Sequence, residues 1–173
     1  MINYFVISCI LIIVTSAPLG FIVYWKNKQP ITNKLFFALT LATSLWALGV
    51  SLEVITDSKY TALLSARLFH FAVIFIPILY SHFLLSFLNL NEIARRMIRF
   101  SYVLGIFFSF SNLTNFLVKD VRPLPELNFK FFIEPGILYV PFIAMFFLLP
   151  GYAFIKALQI FNHYTGVRRN QVR

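Results

Sequence analysis

The chain has 173 residues, 60% of them hydrophobic and only 12% charged, against roughly 45–50% and about 25% in ordinary soluble domains. That balance excludes a soluble globular fold, because a chain of this size has no interior large enough to hide so much apolar surface. The net charge of +9 would suit a nucleic-acid partner, but the way the basic residues are distributed argues against one.

Five apolar stretches follow one another: Phe5–Trp25, Leu35–Ile55, Leu63–Leu88, Phe100–Val118 and Gly136–Phe161. About 20 apolar residues in a helix cross a bilayer's hydrocarbon core. Lipid satisfies no backbone N–H or C=O, so each stretch must be a helix rather than an open strand. The expected fold is an all-α, polytopic bundle of five transmembrane helices forming a single domain over residues 1–173. The first stretch has no basic segment ahead of it and exceeds a signal-peptide core in length, so it reads as a retained span. It holds the single cysteine, Cys9, which reads as a small packing residue and leaves no intramolecular disulfide to form.

The first connection is polar and carries Pro30, which disfavours helix at its neighbour. Thr32 or Asn33 is expected to cap the second span. Spans two and three form a tight hairpin around Thr56-Asp57-Ser58-Lys59. The next loop, Asn89–Arg99, is short and basic, with Asn91 as a candidate cap. The segment Lys119–Pro135 has seventeen residues, three of them proline. Its stretch from Asn128 to Ile133 reads as a short extended piece, and a loop of this kind is expected to fold over the mouth of the bundle. Gly166 reads as a helix stop, after which the basic residues to Arg173 look like the start of another helix. The chain is thus expected to be an incomplete bundle ending at a sixth helix.

Sorting the loops by side explains the charge. Lys26, Lys28, Lys34, Arg95, Arg96, Arg99, Lys156, Arg168, Arg169 and Arg173 fall on one side with a single acid, Glu92. The other side holds Lys59, Lys119, Arg122 and Lys130 against Glu53, Asp57, Asp120, Glu126 and Glu134. This ten-to-four division places the N-terminus outside and the C-terminus in the cytoplasm. The basic side faces anionic headgroups. The expected partner is therefore the bilayer of a cell's inner (plasma) membrane, crossed several times, and nucleic acid is not expected.

Ionisable residues inside spans are costly and are candidates for function. Arg67 and His70 lie three residues apart on nearly one face of the third span, and Glu53 closes the second span within reach of Arg67. Two readings stay open for Glu53, Arg67 and His70: a polar cluster at the outer mouth that binds a ligand or senses protons, or an Arg67–Glu53 pair locking two helices with His70 bonded to a backbone carbonyl. Pro18, Pro77, Pro141 and Pro150 are kink candidates, since each removes a helix hydrogen bond. Trp25, Trp46, Tyr80 and Tyr139 are candidate pocket residues, although Trp25 also suits the interfacial belt and Trp46 helix packing. Thr43, Ser44, Ser51, Ser109, Ser111, Asn112 and Asn115 offer interhelical hydrogen bonds. No catalytic, phosphate-binding or metal-ligating motif is present, so no enzyme activity and no cofactor are expected of this stretch.

Several segments resemble a known family in order and spacing. Asn33-Lys34-Leu35-Phe36-Phe37-Ala38-Leu39 leading to Leu45-Trp46-Ala47-Leu48-Gly49 looks like the second span of the seven-transmembrane N-terminal region of bacterial histidine kinases. Arg67-Leu68-Phe69-His70 with Ile76-Pro77-Ile78-Leu79-Tyr80-Ser81-His82-Phe83 is similar to its third span. Glu134-Pro135-Gly136-Ile137-Leu138-Tyr139 resembles the exit from its outer loop, and Gly166–Arg173 the approach to its sixth span. The resemblance implies a membrane sensor that passes a signal to a cytoplasmic kinase or other output domain, by self-association or through a partner. A small transporter or channel subunit is the rival expectation.

Overall fold

The computed structural model describes residues 4–88 and 92–171, with side chains through residue 160. In order the elements are α1 (Tyr4–Lys26), α2 (Ile31–Ile55), α3 (Lys59–Phe87), α4 (Glu92–Asn112), β1 (Val118–Leu124), a 3-10 turn (Pro125–Leu127), β2 (Phe129–Pro135) and α5 (Tyr139–Gln171). The architecture is an all-α membrane bundle with one added β-hairpin. Helices α1, α2, α3 and α5 are each long and apolar enough to cross a membrane. The remaining helix, α4, is of a different kind, because Arg95, Arg96 and Arg99 occupy its first turns and its apolar part begins at Phe100. Its 21 residues still extend about 31 Å at 1.5 Å per residue, and arginine stems lie along apolar surface while their heads reach water.

Helix α3 is the hub. It packs against α2, α4 and α5, whereas α1 packs mainly on α2. Gly49 lets α2 and α3 approach closely, since a Cβ there would run into the Phe69 side chain. One buried cluster joins Val73 and Ile74 of α3 to Phe108, Leu117 and Phe142. Another, at the basic end, joins Leu85, Ala94, Ile98 and Ala153. Cys9 is buried, as expected of a packing residue.

The strands pair antiparallel, with Val121 opposite Ile133 and Arg122 opposite Phe132, and irregular register on both flanks. Asn128 makes the turn possible with a left-handed φ of 56°, a conformation that asparagine tolerates better than most residues. Val118 and Val121 pack onto Ala62 and Ala66 of α3, and Phe5 of α1 meets Phe129 at 4.9 Å between ring centroids. The start of α1, the α2–α3 turn and the hairpin therefore share one end of the bundle. The base of the hairpin is closed by Gly136 N–H donating to the Leu117 carbonyl and Leu138 N–H to the Phe116 carbonyl, both at 2.9 Å. A Cβ on Gly136 would strike the Asn115 and Phe116 carbonyls.

Several expectations are corrected. The fourth helix starts before Phe100 and ends at Asn112 rather than Val118, because Val118 is taken up by strand pairing. The fifth helix starts at Tyr139, so Pro141 lies in its first turn, where no intrahelical hydrogen bond is lost. Pro18, Pro77 and Pro150 do lie inside helices. Helix α5 passes through Gly166 to Gln171 without a stop. Pro30, not Thr32 or Asn33, precedes α2 as its cap, and Asn33 instead donates to the Asn27 carbonyl at 2.8 Å. The suggested cap Asn91 lies outside the described residues.

Candidate functional site

A cavity of about 900 Å³ opens at the hairpin end. Its walls are α2, α3 and α5, with the start of α1 and the hairpin across its mouth. The hairpin contributes Leu127, Asn128, Phe129, Phe132 and Ile133. The expected loop over the bundle mouth is therefore present, as a paired hairpin rather than a single extended piece. The lining is overwhelmingly apolar and aromatic, and that is the usual character of a small-molecule site.

Two of the three residues expected to form a polar cluster reach this cavity. Glu53, the last acid of α2, is only 2% exposed, and His70 of α3 is 7% exposed. Both line the cavity. The Glu53 carboxyl accepts from the backbone of Ile133 in β2, while its Oε1 has no partner. His70 Nδ1 lies 2.9 Å from the Ala66 carbonyl. A carbonyl only accepts, so Nδ1 carries the proton. At neutral pH an ordinary imidazole holds just that one, leaving Nε2 as an acceptor, and Nε2 is buried without a partner. Buried polar atoms are nearly always paired in native proteins; of the five buried side-chain atoms without a partner among the described residues, these two belong to residues that line the cavity. Tyr139 and Phe142 of α5 flank the His70 ring at 6.1 and 6.4 Å between centroids.

Arg67 is not part of this site, and the expected Arg67–Glu53 pair does not form. The guanidinium Nη2 donates instead to Asn115 Oδ1 at 2.6 Å and to the Val118 carbonyl at 3.3 Å. Asn112 Nδ2 in turn donates to the Arg67 carbonyl at 2.6 Å. One α-helical residue turns by about 100°, so residues three apart still diverge in direction. Arg67 follows the face toward α4 and β1, while His70 looks to α5. The interhelical bond expected of Asn112 is thus made. Thr43, Ser44, Ser51 and Ser111 bond back to carbonyls four residues earlier in their own helices, satisfying hydroxyls locally.

Of the aromatic candidates, Trp46 and Tyr139 line the cavity, and Trp25 and Tyr80 do not. Trp46 was also expected to pack between helices, but it is 37% exposed and lines the cavity. Trp25 is exposed beside the Lys28 ammonium, 4.6 Å from its ring, as an interfacial residue would be. His82 lies toward the other end, where its Nδ1 is 3.0 Å from the Tyr102 hydroxyl. The aromatic wall of the hairpin, Phe129 and Phe132, was the part of the site missed from sequence. The aromatic run Phe129-Lys130-Phe131-Phe132 was its signal, and Phe131 packs instead against the cluster under the hairpin.

Exposed ion pairs hold the hairpin in place. Lys59 meets Asp120 at 2.6 Å, Lys130 meets Asp57 at 2.7 Å, and Lys119 meets Glu134 at 2.7 Å. The bond from Lys59 keeps the Asp120 carboxyl below its ordinary value of 3.8. The bond to Glu134 raises Lys119 above its ordinary 10.5.

The sequence profile of the family described as the N-terminal 7TM region of histidine kinase matches residues 8–173. This chain belongs to that family. Comparisons with curated proteins and with solved structures gave no match.

Proposed function

We propose that this chain is a membrane-embedded input module in which the hairpin-end cavity receives an external stimulus and α5 carries the response to a cytoplasmic output domain. The observation that carries this reading is the dual role of α5. It supplies Tyr139, Phe142, Ile143, Phe146 and Phe147 to the cavity wall and then continues through Gln171. Its 33 residues extend about 50 Å, well beyond a hydrocarbon core of about 30 Å. A change in cavity occupancy therefore acts on one continuous helix that emerges at the opposite, basic end. The ten-to-four charge division supports placing that end in the cytoplasm of a cell's inner membrane and the hairpin outside. The cavity's place at the hairpin end favours sensing over transport, because transport sites sit near the bilayer midplane.

Two measurements test this. Reporter fusions after Lys28, Thr56, Arg96 and Glu126 should read in, out, in, out. Val50→Trp places a bulky ring in the cavity and imitates occupancy. With Cys9→Ala as background and spin labels on cysteines replacing Lys34 and Lys156, this substitution should move the interlabel distance by about 2 Å or more, the scale of helix shifts in switching proteins. An unchanged distance would overturn the relay.

A further inference from the structure

Resting on the reading of the cavity as the input site, we propose that its ligand is an amphipathic organic ammonium: a drug-sized apolar body carrying a cationic amine. Two residues that line the cavity each hold a buried polar atom without a partner, Glu53 Oε1 and His70 Nε2; the imidazole nitrogen accepts, and the carboxyl oxygen accepts when ionised, so a cationic donor complements both groups. An ammonium presents up to three N–H donors and carries the charge that keeps a carboxyl ionised. Charge points the same way. A buried carboxyl stays ionised only beside a counter-charge, and no lysine or arginine lines the cavity to supply one, so a cationic ligand is what would ionise and pair with Glu53. The guanidinium nearest in sequence, Arg67, is turned to Asn115 and Val118.

The surrounding groups fit that head and its body. Trp46, Tyr139 and Phe142 line the same space, and aromatic faces attract a desolvated cation. Thr43 lends its proton to the Leu39 carbonyl at 2.9 Å, so its oxygen too is left to accept. Val50, Val73, Ile76, Phe129 and Phe132 form an apolar wall for the remainder of the molecule. An anionic ligand would meet Glu53 with no cation in the lining to offset it.

The test uses the full chain in lipid nanodiscs with Trp25→Phe, which leaves Trp46 as the sole tryptophan reporter. Three probes share one body and differ only in the head: 3,3-diphenylpropylamine, 3,3-diphenylpropan-1-ol and 3,3-diphenylpropionic acid. The amine should change Trp46 fluorescence saturably, above the partitioning measured in empty nanodiscs. The alcohol should bind at least tenfold more weakly, and the acid should give no saturable signal. Glu53→Gln should weaken the amine at least tenfold and leave the alcohol within about twofold, while His70→Phe should weaken both. The proposal is overturned if the acid binds as well as the amine, if Glu53→Gln leaves amine binding unchanged, or if only unsaturable partitioning is seen. The ranking of the three heads on the unsubstituted cavity decides the matter even where a variant does not fold. The spin-label test with Val50→Trp needs no ligand. Amine binding without a distance change would therefore sink the relay alone, and a distance change without amine binding would sink the ligand class alone.

Discussion

Arg67 and His70 lie less than one turn apart on α3, and they do opposite things. The Arg67 side chain, together with Asn112 and Asn115, ties α3, the end of α4 and the start of β1 into a hydrogen-bonded knot. His70 and its neighbour Glu53 present unpartnered acceptors to an aromatic cavity. A polar residue in a span is thus not functional by its chemistry alone. Its direction around the helix decides whether it finds protein partners or open space. Partnering is incomplete even in the knot, where Arg67 Nε and Asn112 Oδ1 are buried without a partner; what sets Glu53 and His70 apart is that they line the cavity.

The comparison is broken most severely by forcing apart the α2–α3 contact beside both residues. Gly49 faces Phe69, which lies between Arg67 and His70. Gly49→Val should force α2 and α3 apart and lower stability by about 3 kcal/mol, the upper end for overpacking, read as a fall in thermal midpoint in nanodiscs. The knot itself is tested by Arg67→Ala. Loss of a charged donor from two carbonyl-type acceptors should cost about 1.5–3 kcal/mol. A stability unchanged within error would show the knot to be ornamental.

His70→Phe should behave in the opposite sense on stability. It removes an unpaired buried acceptor, so the thermal midpoint should stay level or rise by the equivalent of about 1 kcal/mol. A fall as large as that of Arg67→Ala would erase the distinction drawn here. The combination of Arg67→Ala with Glu53→Gln should be additive to within about 0.5 kcal/mol, since the two side chains share no contact. Coupling well above that figure would restore the pair that the structure has separated.

The smallest effects belong to the hairpin's exposed ion pairs. Lys59→Ala or Lys130→Ala should cost no more than about 1 kcal/mol each and less at high salt. Their pH dependence has a defined sign. The Asp120 carboxyl is lowered in the folded protein, so its contribution is fully present above its unfolded value near 3.8 and is lost as pH falls through the lower folded value. Lys119 is raised, so its contribution holds below about 10.5 and is lost as pH climbs through the higher folded value. Hydrogen exchange in the hairpin amides, corrected for intrinsic rates, should therefore show no step from these two groups between about pH 5 and 9. A step within that window would assign the hairpin's anchoring to other groups.

Much of this protein is written in its sequence. Runs of about twenty apolar residues determine membrane helices, because lipid offers no partner to an open backbone. That argument located α1, α2, α3 and the body of α5 to within a few residues. Glu53 and His70 were legible as candidates because ionisable groups are expensive in a span. Tertiary structure decided what hydropathy cannot encode. Val118 is as apolar as a span residue, but its strand pairing ends the fourth helix early and turns the following segment into a hairpin. Glu53 and Arg67 carry opposite charges at suitable spacing, yet helix rotation and the competing oxygens of Asn115 and Val118 part them. The cavity is a product of tertiary packing: α1 packs on α2, α5 packs on α3, and the hairpin closes over the end, so residues distant in sequence such as Trp46, Glu53, His70 and Phe132 line one space.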